Sequence, residues 1–528
     1  MKGKSSLGIL FALLLVGSIF IMPLPTKAAV VGNIKVGIIG PYGLPHWSPA
    51  GMKEAAEMAR DEVNDAGGIY LPDADPPGYY NITLVFRDEY SYPDILPSQA
   101  AISMEELCDP AEEGCDIVIG GFRTECVMTM IPVAVTHGVP FLINGASTSG
   151  LTNPTTCPYL WRINPINSTM LFYTIAGGVG GYLLPQKLNP IFGADLDNNP
   201  VTPNQTKVAV LSEDLAWTIE MHTMLSNPAY YPSILGPYAN VTYEGRIPDG
   251  TTNVASWIQG VIDSEARLLI HVFSGVSGVP VIATWKAMSC GALPVGINVL
   301  GQLQNHWVTT GGACDYECIL NFAGTRTPII PGVTEVFWDN FVAKSGGYWP
   351  LYTAWGTYDG IHNVAEALAA IGQMDKDLLK AYYENPAYAR VGLNGIFKFT
   401  SDHDVLSPEY GPTWPVGLVR AFICQWQVQF GSGPIDGRME VVCPVDQVFS
   451  KKWAIPPWMY ELVEDINYDG EVDMRDVGAA ARAFGTYPGH ERWEKEADIN
   501  FDNNVDMRDI GAIARKFGTK ISLPVPYP

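Results

Sequence analysis

The hydrophobic positions of this chain form short apolar runs that alternate with segments of helical spacing. Residues 34–40 are an apolar run ending at a glycine, which predicts a buried strand. Residues 49–66 carry apolar side chains at helical spacing and stop at Gly67 and Gly68, a helix-terminating signal. The same succession continues to residue 143. Strands joined by single helices predict βαβ units and a parallel sheet.

The alternation breaks near residues 153–168 and then resumes, which predicts a second α/β lobe. A helix is expected over residues 352–371. The other expected elements are strands at 207–211, 268–273, 294–300 and 395–399, a helix at 279–289, and an antiparallel pair at 421–429 and 439–442.

Small polar residues follow three of the predicted strands, at 121–124, 144–148 and 274–277. Ligands bind at the carboxyl ends of strands in open parallel sheets, and helix N-termini there offer free N–H groups to a carboxylate. Taken alone, each segment is better explained as an ordinary strand-to-helix turn with a helix cap. Together, the three predict a ligand site.

Length, charge and the N-terminus narrow the class of protein. The 528 residues exceed what one core usually organises, and 47% apolar with 16% charged residues is a globular composition. The net charge of −23 repels nucleic acid, so no nucleic-acid partner is expected. Lys2 and Lys4, followed by an apolar run over 7–22, predict a signal peptide at 1–28, with an uncleaved anchor helix as the alternative. We therefore expect a secreted protein.

Cysteines and glycosylation motifs are consistent with export. Nine cysteines in a secreted chain suggest disulfides with one thiol left over. The local candidates are Cys108 with Cys115, Cys314 with Cys318, and Cys424 with Cys443. Asn-x-Ser/Thr motifs that fit surface loops of a glycoprotein occur at Asn81, Asn167, Asn204 and Asn240.

Several motifs, taken in order, resemble a known family. They are Val-Gly-Ile-Ile-Gly-Pro at 36–41, Glu-Val-Asn at 62–64, Val-Ile-Gly-Gly at 118–121, Gly-Ala-Ser at 145–147, Tyr-Asp at 358–359 and Gly-Ile-Phe-Lys-Phe at 395–399. Over residues 34–450 the chain is similar to the branched-chain amino acid (Leu/Ile/Val) binding proteins of ABC transporters. The resemblance implies an α/β, type I periplasmic binding fold, with two parallel-sheet lobes joined by three crossovers.

The resemblance also implies boundaries and ligand contacts. The binding domain would span 29–455, with lobe I at 34–165 and 326–413 and lobe II at 166–325 and 417–450. Ser147 falls where the family places a hydroxyl that binds the ligand's amino and carboxylate groups, Gly145 at a backbone contact, and Thr124 at a carboxylate-binding serine. Trp217 takes the place of a family aromatic residue, and Trp47 is expected to line the mouth of the cleft.

Two departures from the family change the expected ligand. Gln302 stands where the family's second-lobe acid holds the ligand's ammonium group. Arg123 stands beside Thr124, where a neutral residue is usual. This combination argues against a zwitterionic amino acid and admits amides, urea-like molecules and other carboxylates. A surface salt bridge is the alternative role for Arg123.

Two near-identical segments follow, at residues 465–486 and 498–519, and they match at 16 of 22 positions. Oxygen-bearing side chains recur at the spacing of an EF-hand loop, which selects Ca²⁺. The expected ligands are Asp465, Asn467, Asp469, Glu471, Asp473 and Asp476 in the first loop, and Asp498, Asn500, Asp502, Asn504, Asp506 and Asp509 in the second. Glu471 and Asn504 would each contribute a backbone oxygen.

These tandem loop-helix units resemble a type I dockerin at residues 460–520. The resemblance implies docking to a cohesin-bearing surface protein through Met474-Arg475 and Met507-Arg508. A structural cap on its own chain is the alternative. The Pro-rich stretch at 453–458 predicts that this module and the binding lobes are physically independent.

The sequence therefore predicts an extracellular, cell-surface-associated solute-binding protein. It would capture a small amino-acid-like, amide or carboxylate ligand for the membrane subunits of an ABC importer. No nucleotide-binding loop and no His-Glu-x-x-His motif occurs, and no enzyme activity is expected. A secreted hydrolase that carries a dockerin and a ligand-sensing ectodomain remain alternatives.

Overall fold

The computed structural model describes most of the chain. The described residues are 29–42, 51–91, 94–193, 204–321, 326, 330–406, 422–429, 436–443, 454–459, 462–467, 471–488, 490–500 and 502–520. The predicted signal segment, Trp47 and Asp469 lie outside them. Within these ranges, no helix combines the length and the apolar character that crossing a membrane requires.

Strands and helices alternate through the first 400 residues, as the apolar pattern predicts. The strands are β1 (Val30–Gly40), β2 (Ile69–Leu71), β3 (Gly78–Asp88), β4 (Ile117–Gly120), β5 (Phe141–Ile143), β6 (Leu160–Arg162), β7 (Thr206–Asp214), β8 (Ala239–Pro248), β9 (Leu268–Phe273), β10 (Leu293–Asn298), β11 (Cys318–Asn321), β12 (Arg390–Gly392), β13 (Gly395–Phe397), β14 (Phe422–Gln429) and β15 (Asp436–Cys443).

The helices include one long segment that the sequence pattern did not predict. It runs without a break from Ser168 through a π-helical stretch (Ala176–Leu188) to Phe192. The α-helices are α1 (Met52–Asp65), α2 (Pro97–Cys108), α3 (Thr124–His137), α4 (Ser168–Ile175), α5 (Asn189–Phe192), α6 (Ala216–Ser226), α7 (Tyr231–Leu235), α8 (Ala255–Asp263), α9 (Gly278–Ala287), α10 (His306–Thr309), α11 (Thr334–Lys344), α12 (Tyr352–Ile371), α13 (Lys376–Tyr383), α14 (Met474–Ala483) and α15 (Met507–Lys516). Short 3₁₀ turns occur at Leu300–Gln302, Pro457–Met459 and Lys495–Ala497.

Two sheets form the cores of two lobes. Among the described strands, the first sheet has the order β2-β3-β1-β4-β5-β6 and the second has the order β15-β14-β11-β10-β9-β7-β8. The central strands of both sheets pair in parallel, whereas β2, β14 and β15 add antiparallel edges. The strands β8 and β11 were not expected from the sequence. The α/β, two-lobed fold is confirmed, and the exact lobe and domain boundaries stay predictions.

The chain passes between the lobes more than once. It leaves the first sheet after β6, and α12 later returns to pack its buried face, including Ile361, Val364 and Leu368, against the first lobe. It then rejoins the second sheet at β14. These connections place the carboxyl ends of both parallel sheets around the same interlobe cleft.

The expectation of disulfides is not met, because all nine cysteines are buried and none of them forms a disulfide. Cys314 and Cys318 belong to different core clusters, as do Cys424 and Cys443. In the β14–β15 pair, Cys443 lies opposite Ile423 rather than Cys424, so the two thiols lie on different faces of the sheet. Cys108 and Cys115 share one core cluster without forming a bond.

Two of the predicted glycosylation motifs fall in strands rather than in loops. Asn81 lies within β3 and Asn240 within β8. Glycosylation of the chain stays a prediction.

Candidate functional site

A cavity that is partly open to solvent lies between the two lobes, with about 430 Å³ of empty space including the solvent at its opening. Its walls include Thr124, Gly145, Ser147, Trp217 and Gln302, which are five of the six residues predicted to bind ligand. The apolar part of the lining consists of Phe122, Ile166, Leu171, Trp217, Ile297, Val299 and Tyr352. An apolar pocket with a few convergent polar groups is the usual architecture of a small-molecule site.

The loop after β5 approaches the loop after β4 closely because Gly145 has no side chain. A Cβ at Gly145 would lie 2.5 Å from both the carbonyl oxygen of Gly121 and the Cα of Phe122. The Ala146 N–H donates to the same Gly121 carbonyl at 3.1 Å. Gly145 therefore acts through backbone packing, which brings Ser147 to the cavity wall.

Arg123 is the most distinctive polar group of the cavity. It is only 2% exposed, which rules out the surface salt bridge considered as an alternative. Its Nη1 donates to Ser274 Oγ at 2.8 Å across the cleft, and its Nε has no hydrogen-bond partner among the described residues. A buried guanidinium with an unpaired N–H is a strong site for an anion, since leaving it unsatisfied is costly.

A buried carboxylate, Glu89, holds the loop that carries Arg123. Its two oxygens accept the N–H groups of Phe122 at 2.6 Å and Arg123 at 3.2 Å, and the Ser91 hydroxyl also donates to it. Glu89 is fully buried, and burial raises its pKa to about 7 against the lowering effect of these hydrogen bonds. Glu89 thus fixes the backbone from which the guanidinium projects.

Lobe II contains the matching arrangement around Glu213. One oxygen of this buried carboxylate accepts the N–H groups of Ser274 at 3.0 Å and Gly275 at 2.7 Å, which follow β9. The Ser274 hydroxyl also receives the Trp217 indole N–H at 2.9 Å. Burial raises the pKa of Glu213, while attraction to Arg123 opposes that shift. Each lobe therefore uses a glutamate near a strand end to clamp the loop that faces the cleft.

A second contact closes the cleft beside the cavity. Glu125 on α3 of the first lobe accepts the backbone N–H of Ala216, the first residue of α6 in the second lobe, at 2.8 Å. A carboxylate at a helix N-terminus is electrostatically favourable. Together with the Arg123–Ser274 hydrogen bond, this contact shows the two lobes in a closed arrangement.

Gln302 completes the cavity wall on the side of lobe II. It is 3% exposed, its Nε2 donates to the Leu320 carbonyl at 3.2 Å, and its Oε1 has no partner in the described part of the chain. Behind this wall, Glu317 contacts His306 at 2.7 Å and His271 at 3.3 Å, and it accepts the Asn298 amide at 2.9 Å. This buried cluster supports β10, whose carboxyl end lines the cavity at Ile297.

The C-terminal repeats fold into two loop-helix units around a shared core. In each unit the last aspartate of the loop joins its two ends through hydrogen bonds. Asp476 accepts the N–H groups of Ile466, Asn467 and Asp473. Asp509 accepts the N–H groups of Ile499, Asn500 and Asp506. Asn503 adopts a left-handed backbone with φ of 66°, as its loop position requires. The loop-start residues Asp465 and Asp498 are also buried.

Two arginines neutralise part of the negative charge of these loops. Asp473 pairs with Arg475, while Asp502 and Asp506 pair with Arg508, each at 2.7 Å. In the described residues, no group of three or more His, Cys, Asp or Glu side chains is arranged to hold a metal ion. Burial, together with repulsion from Asp509 and Asp502, raises the pKa of Asp498 to about 6. This crowding of oxygen atoms fits a cation in the second loop.

Comparison with known families identifies both parts of the chain. A model described as periplasmic binding protein matches residues 33–410, and one described as dockerin type I domain matches residues 463–518. The chain belongs to the periplasmic binding protein family. Both assignments confirm the resemblances drawn from the sequence, and together they indicate a periplasmic or extracellular location. The search of curated proteins found no significant match.

Solved structures share the two-lobed fold of this periplasmic binding protein. An ABC transporter substrate-binding protein from Sphaerobacter thermophilus aligns with a TM-score of 0.58 and 16% identity, over 80% of this chain and 100% of that one. A Rhodopseudomonas palustris solute-binding protein in complex with 3,4-dihydroxybenzoic acid gives 0.57 and 16%, over 78% and 96%. The branched-chain amino acid binding protein of Streptococcus pneumoniae in complex with isoleucine gives 0.55 and 17%, over 78% and 99%.

Sequence reasoning missed the two glutamate clamps of this periplasmic binding protein. Glu89 follows β3 directly and Glu213 is the next-to-last residue of β7. An acid at the carboxyl end of an apolar strand is the signal that could have identified them. The ligand contacts of Thr124, Gly145, Ser147, Trp217 and Gln302 stay predictions, although the structure brings all five to one cavity.

Proposed function

We propose that the cleft captures a small organic carboxylate with an apolar or aromatic body and delivers it to the membrane subunits of an ABC importer. The observation that carries this proposal is the buried guanidinium of Arg123, which has an unpaired Nε–H in an apolar cavity. A carboxylate supplies two acceptors in the plane that a guanidinium favours.

The composition of the cavity wall favours a simple carboxylate over a zwitterionic amino acid. Among the described lining residues there is a cation, Arg123, and no aspartate or glutamate. Gln302 presents a neutral amide where an ammonium group would need an anion. The nearest carboxylate, Glu213, accepts the N–H groups of Ser274 and Gly275 and is attracted to Arg123, so an ammonium group would have to compete with Arg123 for it.

The ligands of the solved relatives include both a simple carboxylate and an amino acid. One is in complex with 3,4-dihydroxybenzoic acid and another with isoleucine. Trp217, Tyr352 and Phe122 provide aromatic surface of the kind that suits a benzoate-like ring. These points support an aromatic or branched monocarboxylate as the first class to test.

The decisive experiment is a calorimetric titration of the full chain with benzoate, 4-hydroxybenzoate, a branched aliphatic carboxylate, isoleucine and benzamide. We expect the carboxylates to bind, and Arg123→Met to lower their affinity by about 10- to 150-fold, the equivalent of 1.5–3 kcal/mol. Arg60→Met is the matched control, because Arg60 lies at the surface and pairs with the adjacent Asp61 in the described part of the chain. Isoleucine binding more tightly than the carboxylates, or unchanged affinity in Arg123→Met, would refute the assignment.

For the C-terminal module we propose that calcium organises its loops and that it docks to a cohesin-bearing surface protein. The supporting observations are the crowded loop oxygens and two equivalent exposed faces. Met474 and Met507 are each 66% exposed at the first turns of α14 and α15. Because the faces are duplicates, a single Met474→Glu or Met507→Glu variant should remain attached to cells and the double variant should be released. Retention of the double variant would contradict docking through these faces and favour the structural-cap alternative.

We further propose binding rather than catalysis as the activity of the chain. The matched family is a solute-binding family. The polar groups of the cavity also favour anchoring of a ligand, since Thr124 is paired with Thr148 at 3.0 Å and Arg123 with Ser274. Turnover of ester or glycoside substrates at the cavity, lost in Ser147→Ala, would overturn this assignment.

A further inference from the structure

The segment between the binding lobes and the dockerin module packs against lobe II. The Ala454 N–H donates to Gln425 Oε1 at 2.9 Å, and Gln425 Nε2 returns a hydrogen bond to the Ala454 carbonyl at 2.8 Å. Ala454, Ile455 and Met459 are buried in the core cluster of lobe II. The Pro-rich composition predicted that the module and the lobes are independent. The structure differs because these apolar residues pack against the hydrophobic core of lobe II.

Trp458 fixes the same segment with several contacts. Its indole N–H donates to the Cys290 carbonyl at 3.1 Å, its ring packs at 5.5 Å from the ring of Trp285, and Lys286 Nζ lies 3.9 Å from its centroid. The ring of Tyr316 meets it edge-on at 5.8 Å. Residues 454–459, which lead towards the dockerin module, are therefore held by lobe II.

The dockerin module itself contacts lobe II through Lys495. The Nζ of this residue lies 2.7 and 2.8 Å from the two oxygens of Asp315, and 3.6 Å from the ring centroid of Tyr316. Its side chain is 18% exposed and that of Asp315 is 15% exposed. An ion pair this shielded is stronger than an ordinary surface pair. Ile191 of α5 adds an apolar contact with the core of the module.

This contact comes from the segment just before the second repeat, and the described residues show no counterpart before the first repeat. Lys495 opens the 3₁₀ turn that leads into the second loop at Asp498. The equivalent residue 33 positions earlier is Leu462, which is buried in the core of the module. The Lys495–Asp315 ion pair is therefore specific to the segment that leads into the second loop.

We infer that the dockerin module is fastened to lobe II through Lys495 and the packed segment at 454–459, so that the two form one rigid body. The faces at Met474 and Met507 remain exposed in this arrangement. A partner that binds the module therefore also immobilises lobe II. Lobe I is then the part that moves when the cleft opens. Anchoring of the protein through the module therefore leaves the opening and closing of the cleft unhindered.

The test measures distances between spin labels in the full chain with Ca²⁺ present. Labels at Ile219→Cys in lobe II and Met474→Cys in the module use exposed positions, whereas the native cysteines are buried. We expect a narrow distance distribution for the parent protein and a shift to longer, broader distances for Lys495→Glu. Adding Asp315→Lys to Lys495→Glu restores the ion pair in reverse and should restore the narrow distribution.

The control is Lys516→Glu, which changes an exposed lysine of α15 outside the Lys495–Asp315 ion pair. It should leave the distribution narrow. Hydrogen exchange of α15 confirms that each variant keeps its module folded. A broad distribution in the parent protein, or an unchanged distribution in Lys495→Glu, would overturn the inference. Both results are independent of whether the cleft binds a carboxylate.

Discussion

Removal of one charge from the buried His271–Glu317–His306 cluster is predicted to destabilise lobe II in a pH-dependent way. Glu317 is fully buried, and burial alone would raise its pKa. Attraction to His306 and His271, together with their hydrogen bonds, overcomes that effect and lowers the pKa to about 2. The cluster supports Asn298 between the cavity residues Ile297 and Val299, so it also supports the ligand site.

The size of the effect follows from the shift in pKa. The ordinary pKa of a glutamate is about 4.3, so a value near 2 corresponds to about 3 kcal/mol of stabilisation. Because the pKa is depressed in the folded state, this stabilisation is complete above pH ~4.3 and is lost as the pH falls towards 2. For a domain of lobe size, about 3 kcal/mol corresponds to a melting shift of roughly 6–12 °C.

The assay is differential scanning calorimetry of the full chain and of Glu317→Gln between pH 3 and pH 8. We expect the variant to melt lower at neutral pH and the difference to shrink as the pH approaches 3. The matched control is Glu244→Gln, which removes a carboxylate that is 61% exposed and lies 3.0 Å from His222. Such exposed pairs contribute about 0–1 kcal/mol.

Two results would refute this reasoning. The first is a melting difference between the parent protein and Glu317→Gln that is the same at pH 3 as at pH 7. The second is a destabilisation by Glu317→Gln no larger than that by Glu244→Gln. Either result would mean that the buried cluster does not hold Glu317 in its ionised form.

Three further predictions concern the cavity and the loops. Ser147→Ala and Thr124→Ala should each weaken carboxylate binding by about 1–3 kcal/mol in calorimetric titrations, and unchanged affinity in both would remove them from the site. Gly145→Ala should abolish binding because its Cβ would lie 2.5 Å from backbone atoms of the neighbouring loop, whereas Gly181→Ala, whose Cβ meets nothing nearer than 3.5 Å, should bind normally. Titration with Ca²⁺ should show two sites and EGTA should lower the melting temperature of the C-terminal module; absence of Ca²⁺ binding would contradict the loop assignment.

The sequence predicted the features that depend on neighbouring residues or on a regular spacing of apolar side chains. Apolar runs and helical spacing predicted the alternation of strands and helices, including α12 at its observed bounds. Small polar residues after three strands predicted a site because parallel strands end at a common edge. Thr124, Ser147 and Ser274, one from each of those segments, do line a single cavity.

The parts that the sequence did not predict depend on distant contacts. A lone glutamate has no periodic signature, and the burial of Glu89 and Glu213 arises only when neighbouring loops fold over them. The packed segment at 454–459 was misjudged for a related reason. Its Pro-rich composition predicted that the module and the lobes are independent, but Ala454 and Ile455 before the two prolines and Met459 after them are apolar and are buried against lobe II.

The position of Arg123 connects lobe closure with ligand chemistry. Arg123 belongs to lobe I, whereas Ser274 and Glu213 belong to lobe II, so closure exchanges the water around the guanidinium for one hydrogen bond and the attraction of Glu213. That exchange leaves at least the Nε–H unpaired, at a cost of about 1–3 kcal/mol. A bound carboxylate supplies the missing acceptors and removes this cost. Closure should therefore be favoured with an anion in the cavity and disfavoured without one, which is the response that ligand capture requires.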